Sequence, residues 1–200
     1  MFDAALRPHL DKAIDPVGRW CAARGISANM LTVIGFAFGI AAALAVVMGM
    51  MLAAFLLILL NRMCDGLDGA IARATAPTDF GGFLDIVFDF IFYAMIPFGF
   101  ALYDSANALA ACFLVVSFFG TAVSFLAFSA MAEKRGLSNK DRGVKSLYFL
   151  GGLTEGGETT ILLLAMTVTS QWFVYYAYGF GVLCWITAIT RVVEARMLLR

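Results

Sequence analysis

The sequence predicts an all-α fold: a polytopic membrane protein with six transmembrane helices preceded by an N-terminal amphipathic helix lying in the interface. Two observations lead there. The chain is 62% hydrophobic and only 14% charged, which is a membrane composition. There is also no charged residue between Arg24 and Arg62, or between Glu158 and Arg191. Roughly 20 apolar residues cross a bilayer core, so each gap holds one span and most of a second.

The elements follow in chain order. Residues 2 to 24 place Phe2, Leu6, Leu10, Ile14, Val17 and Trp20 at mostly helical spacing among charged residues, as in an interfacial helix that Pro16 bends or restarts. The same charges make this segment unlike the apolar region of a signal peptide. Spans are predicted over about 29 to 48, 51 to 74, 80 to 102, 107 to 131, 147 to 168 and 172 to 194. Residues 1 to 200 then form a single domain, with the bundle over 29 to 194.

Charge placement orients this plan. Arg7, Lys12, Arg19 and Arg24 precede the first span, and Lys134, Arg135, Lys140, Arg142 and Lys145 lie between the fourth and fifth. Arg191, Arg196 and Arg200 end the chain, while Arg62 and Arg73 lie in the half of span two that approaches the same side. The connections on the opposite side carry no Lys or Arg, so the positive-inside rule puts both termini in the cytoplasm. The net charge of zero gives no general attraction to nucleic acid. Cys21, Cys64, Cys112 and Cys184 are too scattered for a C-x-x-C site and read as small apolar residues; His9 reads as a surface residue.

The informative stretch contains Asp65, Asp68, Gly69, Ala72 and Arg73, then Gly81, Asp85 and Asp89. At 100° per residue, Asn61, Arg62, Asp65, Asp68, Gly69 and Arg73 share one arc of about 140°. Gly81, Asp85 and Asp89 recur every four residues and form a stripe on the next helix. A short connection containing Pro77 predicts that these helices pack as antiparallel neighbours with their polar faces meeting. Carboxylates converging at the edge of hydrocarbon cost at least about 2–3 kcal/mol each and require positive charge. Arg62 and Arg73 supply part of it, and hard divalent cations suit the remaining all-oxygen set. Because Mg²⁺ commonly shares its coordination with substrate phosphates, such a site points to a phosphate-bearing substrate. Gly69 and Gly81 lie on the carboxylate faces, where a missing side chain would admit a ligand.

These positions match D-x-x-D-G-x-x-A-R followed by G-x-x-x-D-x-x-x-D, and on them the chain resembles the CDP-alcohol phosphotransferase family. Two departures from the family pattern are visible: the spacer between Arg73 and Gly81 is a residue shorter than in many members, and Ala28 stands where Pro is frequent before Asn29. The resemblance implies an integral enzyme of phospholipid biosynthesis that moves a substituted phosphate from a CDP-alcohol, foremost CDP-diacylglycerol, to an acceptor alcohol with release of CMP. It further implies that Asp65, Asp68, Asp85 and Asp89 hold Mg²⁺ or Mn²⁺, as two cations, and that Asp89 is the catalytic base. By the same resemblance Ala28, Asn29, Thr32, Gly69, Arg73, Thr78 and Gly81 bind the CDP-alcohol. A homodimer in a bacterial inner membrane, with the active site on the cytoplasmic side, completes that expectation.

The acceptor is left open. Glu155 and Glu158 open span five and are expected near Arg191, where they either neutralise it or face an ammonium group. A phosphorylated acceptor would instead use Arg191 and the basic residues of the 134 to 145 loop. The competing class is an ion or small-molecule transporter built on intramembrane carboxylates. It accounts less well for the ordered Gly and Arg positions and lacks a second, repeat-related carboxylate site.

Overall fold

A computed structural model describes the backbone of residues 2–136 and 153–199, and side chains from residue 12 onward. Regular structure among the described residues is entirely helical: α1 Phe2–Ala22, α2 Ala28–Val47, α3 Met51–Ala74, α4 Asp79–Tyr103, α5 Ala108–Lys134, α6 Gly156–Val168 and α7 Phe173–Leu198. Short 3₁₀ turns, Ser105–Asn107 and Ser170–Trp172, lead into α5 and α7. Lys140, Arg142 and Lys145 of the basic loop, and residues 147 to 152 of the fifth predicted span, lie outside the described residues.

Among the described residues, four helical stretches are long and apolar enough to cross a membrane: α2, α4, and α5 and α7 with their leading turns. The other two predicted spans differ for physical reasons. The second half of α3 carries Arg62, Asp65, Asp68 and Arg73, so no stretch of crossing length within it is purely apolar. The described part of α6 has 13 residues, which at 1.5 Å per residue falls short of a roughly 30 Å hydrocarbon core.

Helix termini are set locally. Ser27 caps α2 by accepting a hydrogen bond from the Met30 amide at 3.2 Å. Thr78 caps α4 by accepting from the Gly81 amide at 3.0 Å. Side-chain caps of this type contribute about 1 kcal/mol. Pro97 lies inside α4, in the half buried against the rest of the bundle.

α1 runs through Pro16 as one helix and does not restart there. Its seat on α3 explains the continuity. A Cβ on Gly66 would lie 3.4 Å from Ile14 Cδ1, and a Cβ on Gly18 would lie 2.6 Å from that of Ala70. Ile14 and Gly18, one turn apart on α1, therefore meet Gly66 and Ala70, one turn apart on α3. Val17 and Trp20, on the other side of α1, are exposed.

The expected direct packing of α3 on α4 is also corrected, because α2 packs extensively on both while α3 and α4 barely approach one another. Small residues on α2 permit this: Gly35 faces Cys64 and Asn61 of α3, and Gly39 faces Phe92 of α4. The wedge leaves room between α3 and α4 for side chains to meet across a gap. Below it a core of Val46, Ile58, Phe92, Ile96, Phe100 and Leu163 joins α2, α3, α4 and α6. α5 closes the bundle against α4 on one side and α7 on the other.

Gly18→Val should destabilise the protein by about 1–3 kcal/mol, the usual cost of overpacking, because the added atoms meet Ala70 backbone as well as its side chain. Thermal unfolding in detergent measures this, and an unchanged midpoint would contradict the close α1–α3 contact.

Candidate active site

The polar faces of α3 and α4 meet across the gap that α2 holds open. One carboxylate oxygen from each of Asp65, Asp85 and Asp89 lies within 4.8 Å of the others. Asp68 belongs to the same recess, but its Oδ2 accepts a short hydrogen bond, 2.6 Å, from Thr32 of α2. The recess is a pocket of about 10 Å³, close to what one water or small ion needs. Phe36 and Phe88, stacked with centroids 4.1 Å apart, supply part of its wall.

Positive charge reaches this cluster from within. Arg62 Nη2 donates to Asp89 Oδ1 at 2.6 Å, and Nη1 lies 3.6 Å from Asp65 Oδ2. Arg73 forms an ion pair with Asp15 of α1 at 2.8 Å. One guanidinium therefore bridges two carboxylates of the cluster, while the ion pair of the other ties α3 to α1.

The chemistry of the donor set fits a hard divalent cation. Three convergent carboxylates, a fourth in the same pocket and no nitrogen or sulfur ligand among them are what Mg²⁺ or Mn²⁺ prefers. A bound cation would bring Lewis-acid charge to a phosphate placed beside it.

Two larger cavities flank the pocket. The first, about 490 Å³, is lined by Ala28, Asn29, Thr32, Asp68, Gly69, Thr78, Gly81 and Asp85 among others. Both capped N-termini, Ser27 of α2 and Thr78 of α4, open onto it, so two sets of helix-end amides favour an anion there. Six of the seven residues expected to hold a CDP-alcohol line this cavity. The seventh, Arg73, sits beside it with Nη1 3.4 Å from where a Gly69 Cβ would stand. Gly81 has a further reason to lack a side chain, since a Cβ there would be 2.8 Å from Asn29 Oδ1.

The second cavity, about 310 Å³, lies on the other side of Asp85 and Asp89. Tyr93, Thr121, Phe125, Glu155 and Arg191 contribute to its wall, and Arg191 Nη1 donates to the Thr121 carbonyl at 3.0 Å. Glu158 is placed differently from Glu155: its Oε2 accepts from the Glu155 amide at 3.3 Å and so serves the start of α6. Asp85 lines both cavities and the pocket between them.

Residues 25–193 match the description of the CDP-alcohol phosphatidyltransferases. The chain belongs to that family. Among relatives of this phosphatidyltransferase, Inner membrane protein YnjF of Escherichia coli is 47% identical over 96% of this chain and 94% of its own. The archaetidylinositol phosphate synthase of Pyrococcus horikoshii is 29% identical over 96% of this chain and 95% of its own. The solved phosphatidylinositol phosphate synthase PgsA1 of Mycobacterium tuberculosis, with CDP-DAG bound, superposes at a TM-score of 0.67 over 92% of this chain and 94% of that one, at 24% identity. The phosphatidyltransferase is thus an integral membrane transferase of substituted phosphate groups, and the transporter alternative falls away.

Sequence reasoning missed several contacts of the phosphatidyltransferase site. Tyr93 extends the stripe of Gly81, Asp85 and Asp89 by another four residues, a signal that was present. The Thr32 bond to Asp68 and the Asp15 pair with Arg73 join helices far apart in sequence, so no local spacing announces them.

Mn²⁺ or Mg²⁺ at about 100 times its Kd should stabilise the protein by about 2.7 kcal/mol if it binds the folded state alone. Asp85→Asn should shrink that increment. A thermal shift equal in wild type and variant would contradict cation binding at this cluster.

Proposed function

We propose that this phosphatidyltransferase moves the phosphatidyl group of CDP-diacylglycerol onto the hydroxyl of a small alcohol and releases CMP, using two divalent cations held by Asp65, Asp68, Asp85 and Asp89. The observation that carries the reading is Asp85 at the junction of three spaces, since an ordered transfer between two substrates needs a shared reacting centre. The 490 Å³ cavity, with its two helix N-termini, suits the cytidine diphosphate part. Ala28, Asn29, Thr32, Gly69, Arg73, Thr78 and Gly81 are its binding residues in this reading. Bound CDP-DAG in the named structural neighbour supports the same donor class.

In the reaction, the acceptor oxygen forms a bond to the β-phosphorus while the bond from that phosphorus to the bridging oxygen breaks. CMP carries away the bridging oxygen and its electron pair. Asp89 takes the hydroxyl proton and Arg73 offsets charge on the diphosphate, while cations held by Asp65, Asp68, Asp85 and Asp89 would supply Lewis-acid charge to the diphosphate oxygens.

The acceptor approaches through the 310 Å³ cavity, where Arg191 supports an anionic substituent and Glu155 an ammonium group. Relatives named as synthases of inositol phosphate lipids favour the phosphorylated class. Glu158 acts there through the start of α6. Six spans with α1 on the cytoplasmic surface, both termini and the active site on that side, and a homodimer in a bacterial inner membrane complete the proposal. The basic residues near both ends and the family resemblance support this arrangement, and the name of the 47% identical relative supports the membrane.

Purified protein in lipid with CDP-diacylglycerol and Mn²⁺ should release CMP when given one alcohol from a panel of glycerol phosphate, inositol phosphate, serine and ethanolamine. Absence of release with every member, or full release in excess chelator, would contradict the proposal. Asp89→Asn should lower turnover by roughly 10²-fold or more at saturating metal while donor binding persists. Near-normal turnover would remove Asp89 as the base.

A further inference from the structure

Arg62 is tied at more points than a countercharge requires. Its Nε donates to Asn61 Oδ1 at 2.7 Å, and the buried Asn61 donates from Nδ2 to the Gly35 carbonyl of α2 at 2.8 Å. At the far end Nη2 meets Asp89 Oδ1 at 2.6 Å, while Nη1 meets Asp89 Oδ2 at 3.4 Å and the Tyr93 hydroxyl at 3.0 Å. The Tyr93 hydroxyl also lies 3.4 Å from Asp89 Oδ2, and the guanidinium packs 4.7 Å from the Phe92 ring centroid. A point charge could attract Asp89 from many positions. A planar fork held at both ends selects one orientation of the carboxylate.

That orientation has consequences because Asp89 lines both the cation pocket and the smaller substrate cavity. Its direction decides which oxygen faces the other carboxylates and which faces an incoming hydroxyl. Along α4 alone, Asp89 has rotamer freedom; the chain of bonds through Arg62 and Asn61 refers it instead to the α2 backbone. The same α2 segment donates Thr32 to Asp68, so one helix indexes carboxylates from both α3 and α4.

We propose that Arg62 is a positioning residue for the transfer reaction, locked by Asn61 to α2 so that its fork fixes the Asp89 carboxylate at the border of the cation pocket and the acceptor cavity. The inference rests on the transferase reading above and adds that shape, not charge alone, is what Arg62 supplies.

Arg62→Lys separates the two, since it keeps the charge and removes the fork. Thermal stability and Mn²⁺ stoichiometry should stay near wild type. The EPR spectrum of bound Mn²⁺, which reports ligand arrangement, should change shape, and kcat should fall about 10–100-fold with donor binding retained, as for a misplaced reacting group. Wild-type kcat and an unchanged spectrum in Arg62→Lys would overturn the proposal, because charge alone would then suffice. Tyr93→Phe, which keeps the ring and deletes the hydroxyl, should shift both readouts in the same direction by a smaller amount. Should Arg62→Lys fail to fold, wild-type kcat and spectrum in Tyr93→Phe would overturn the proposal by themselves. A wild-type protein that neither binds Mn²⁺ nor releases CMP would contradict the transferase reading and this proposal together, an outcome separable because the variants play no part in it.

Discussion

Carboxylates from α3 and α4 come within 4.8 Å of one another in a bundle whose other surfaces are largely apolar, and their mutual repulsion must be met locally. Water cannot do this alone at the edge of hydrocarbon, and removing one partner of a buried ion pair typically costs about 3–5 kcal/mol. Arg62 meets part of the demand from inside α3, bridging toward Asp65 and Asp89. Direct packing of α3 on α4 would leave no space for this group or for a cation. The wedge of α2 follows from that constraint, and the glycines at 35 and 39 follow from the wedge.

The same separation makes the site accessible from two directions. On one side the N-termini of α2 and α4 frame a cavity that suits a diphosphate. On the other, α4, α5, α6 and α7 frame a smaller cavity with Glu155 and Arg191 in its wall. Asp85 touches both, so the helix spacing gives the proposed transfer a shared centre. The lower half of the bundle, with Phe92, Ile96 and Phe100 fully buried, keeps that spacing by packing alone.

Much of this was legible in the sequence because the signals were local. Helical spacing put Asp65 and Asp68 on one face and Asp85 and Asp89 on another, and the two charge-free gaps took in α2 and most of α7, along with half of α3 and most of α6. Ala28, Asn29 and Thr32 could be grouped with Gly69, Thr78 and Gly81 only through the family pattern, since they share a cavity by tertiary folding. Apart from Tyr93, which continues the local stripe of Gly81, Asp85 and Asp89, the missed features depend on contacts distant in sequence. The short loop after Arg73 suggested that α3 and α4 pack together, whereas α2 lies between them. Gly81 looked like an opening for a ligand, yet its missing Cβ also accommodates Asn29. Pro16 offered a bend or a restart, but the helix does not restart there, and Ile14 and Gly18 contact α3 on either side of it.

In the proposed reading, the space between α3 and α4 holds divalent cations on the four aspartates. Anomalous diffraction from crystals grown with Mn²⁺ tests it most directly. Anomalous density is expected between Asp65, Asp68, Asp85 and Asp89, with carboxylate oxygens at about 2.0–2.6 Å, the range for hard cations and oxygen. Well-ordered carboxylates with no anomalous peak among them at saturating Mn²⁺, or a peak bound elsewhere in the bundle, would contradict it.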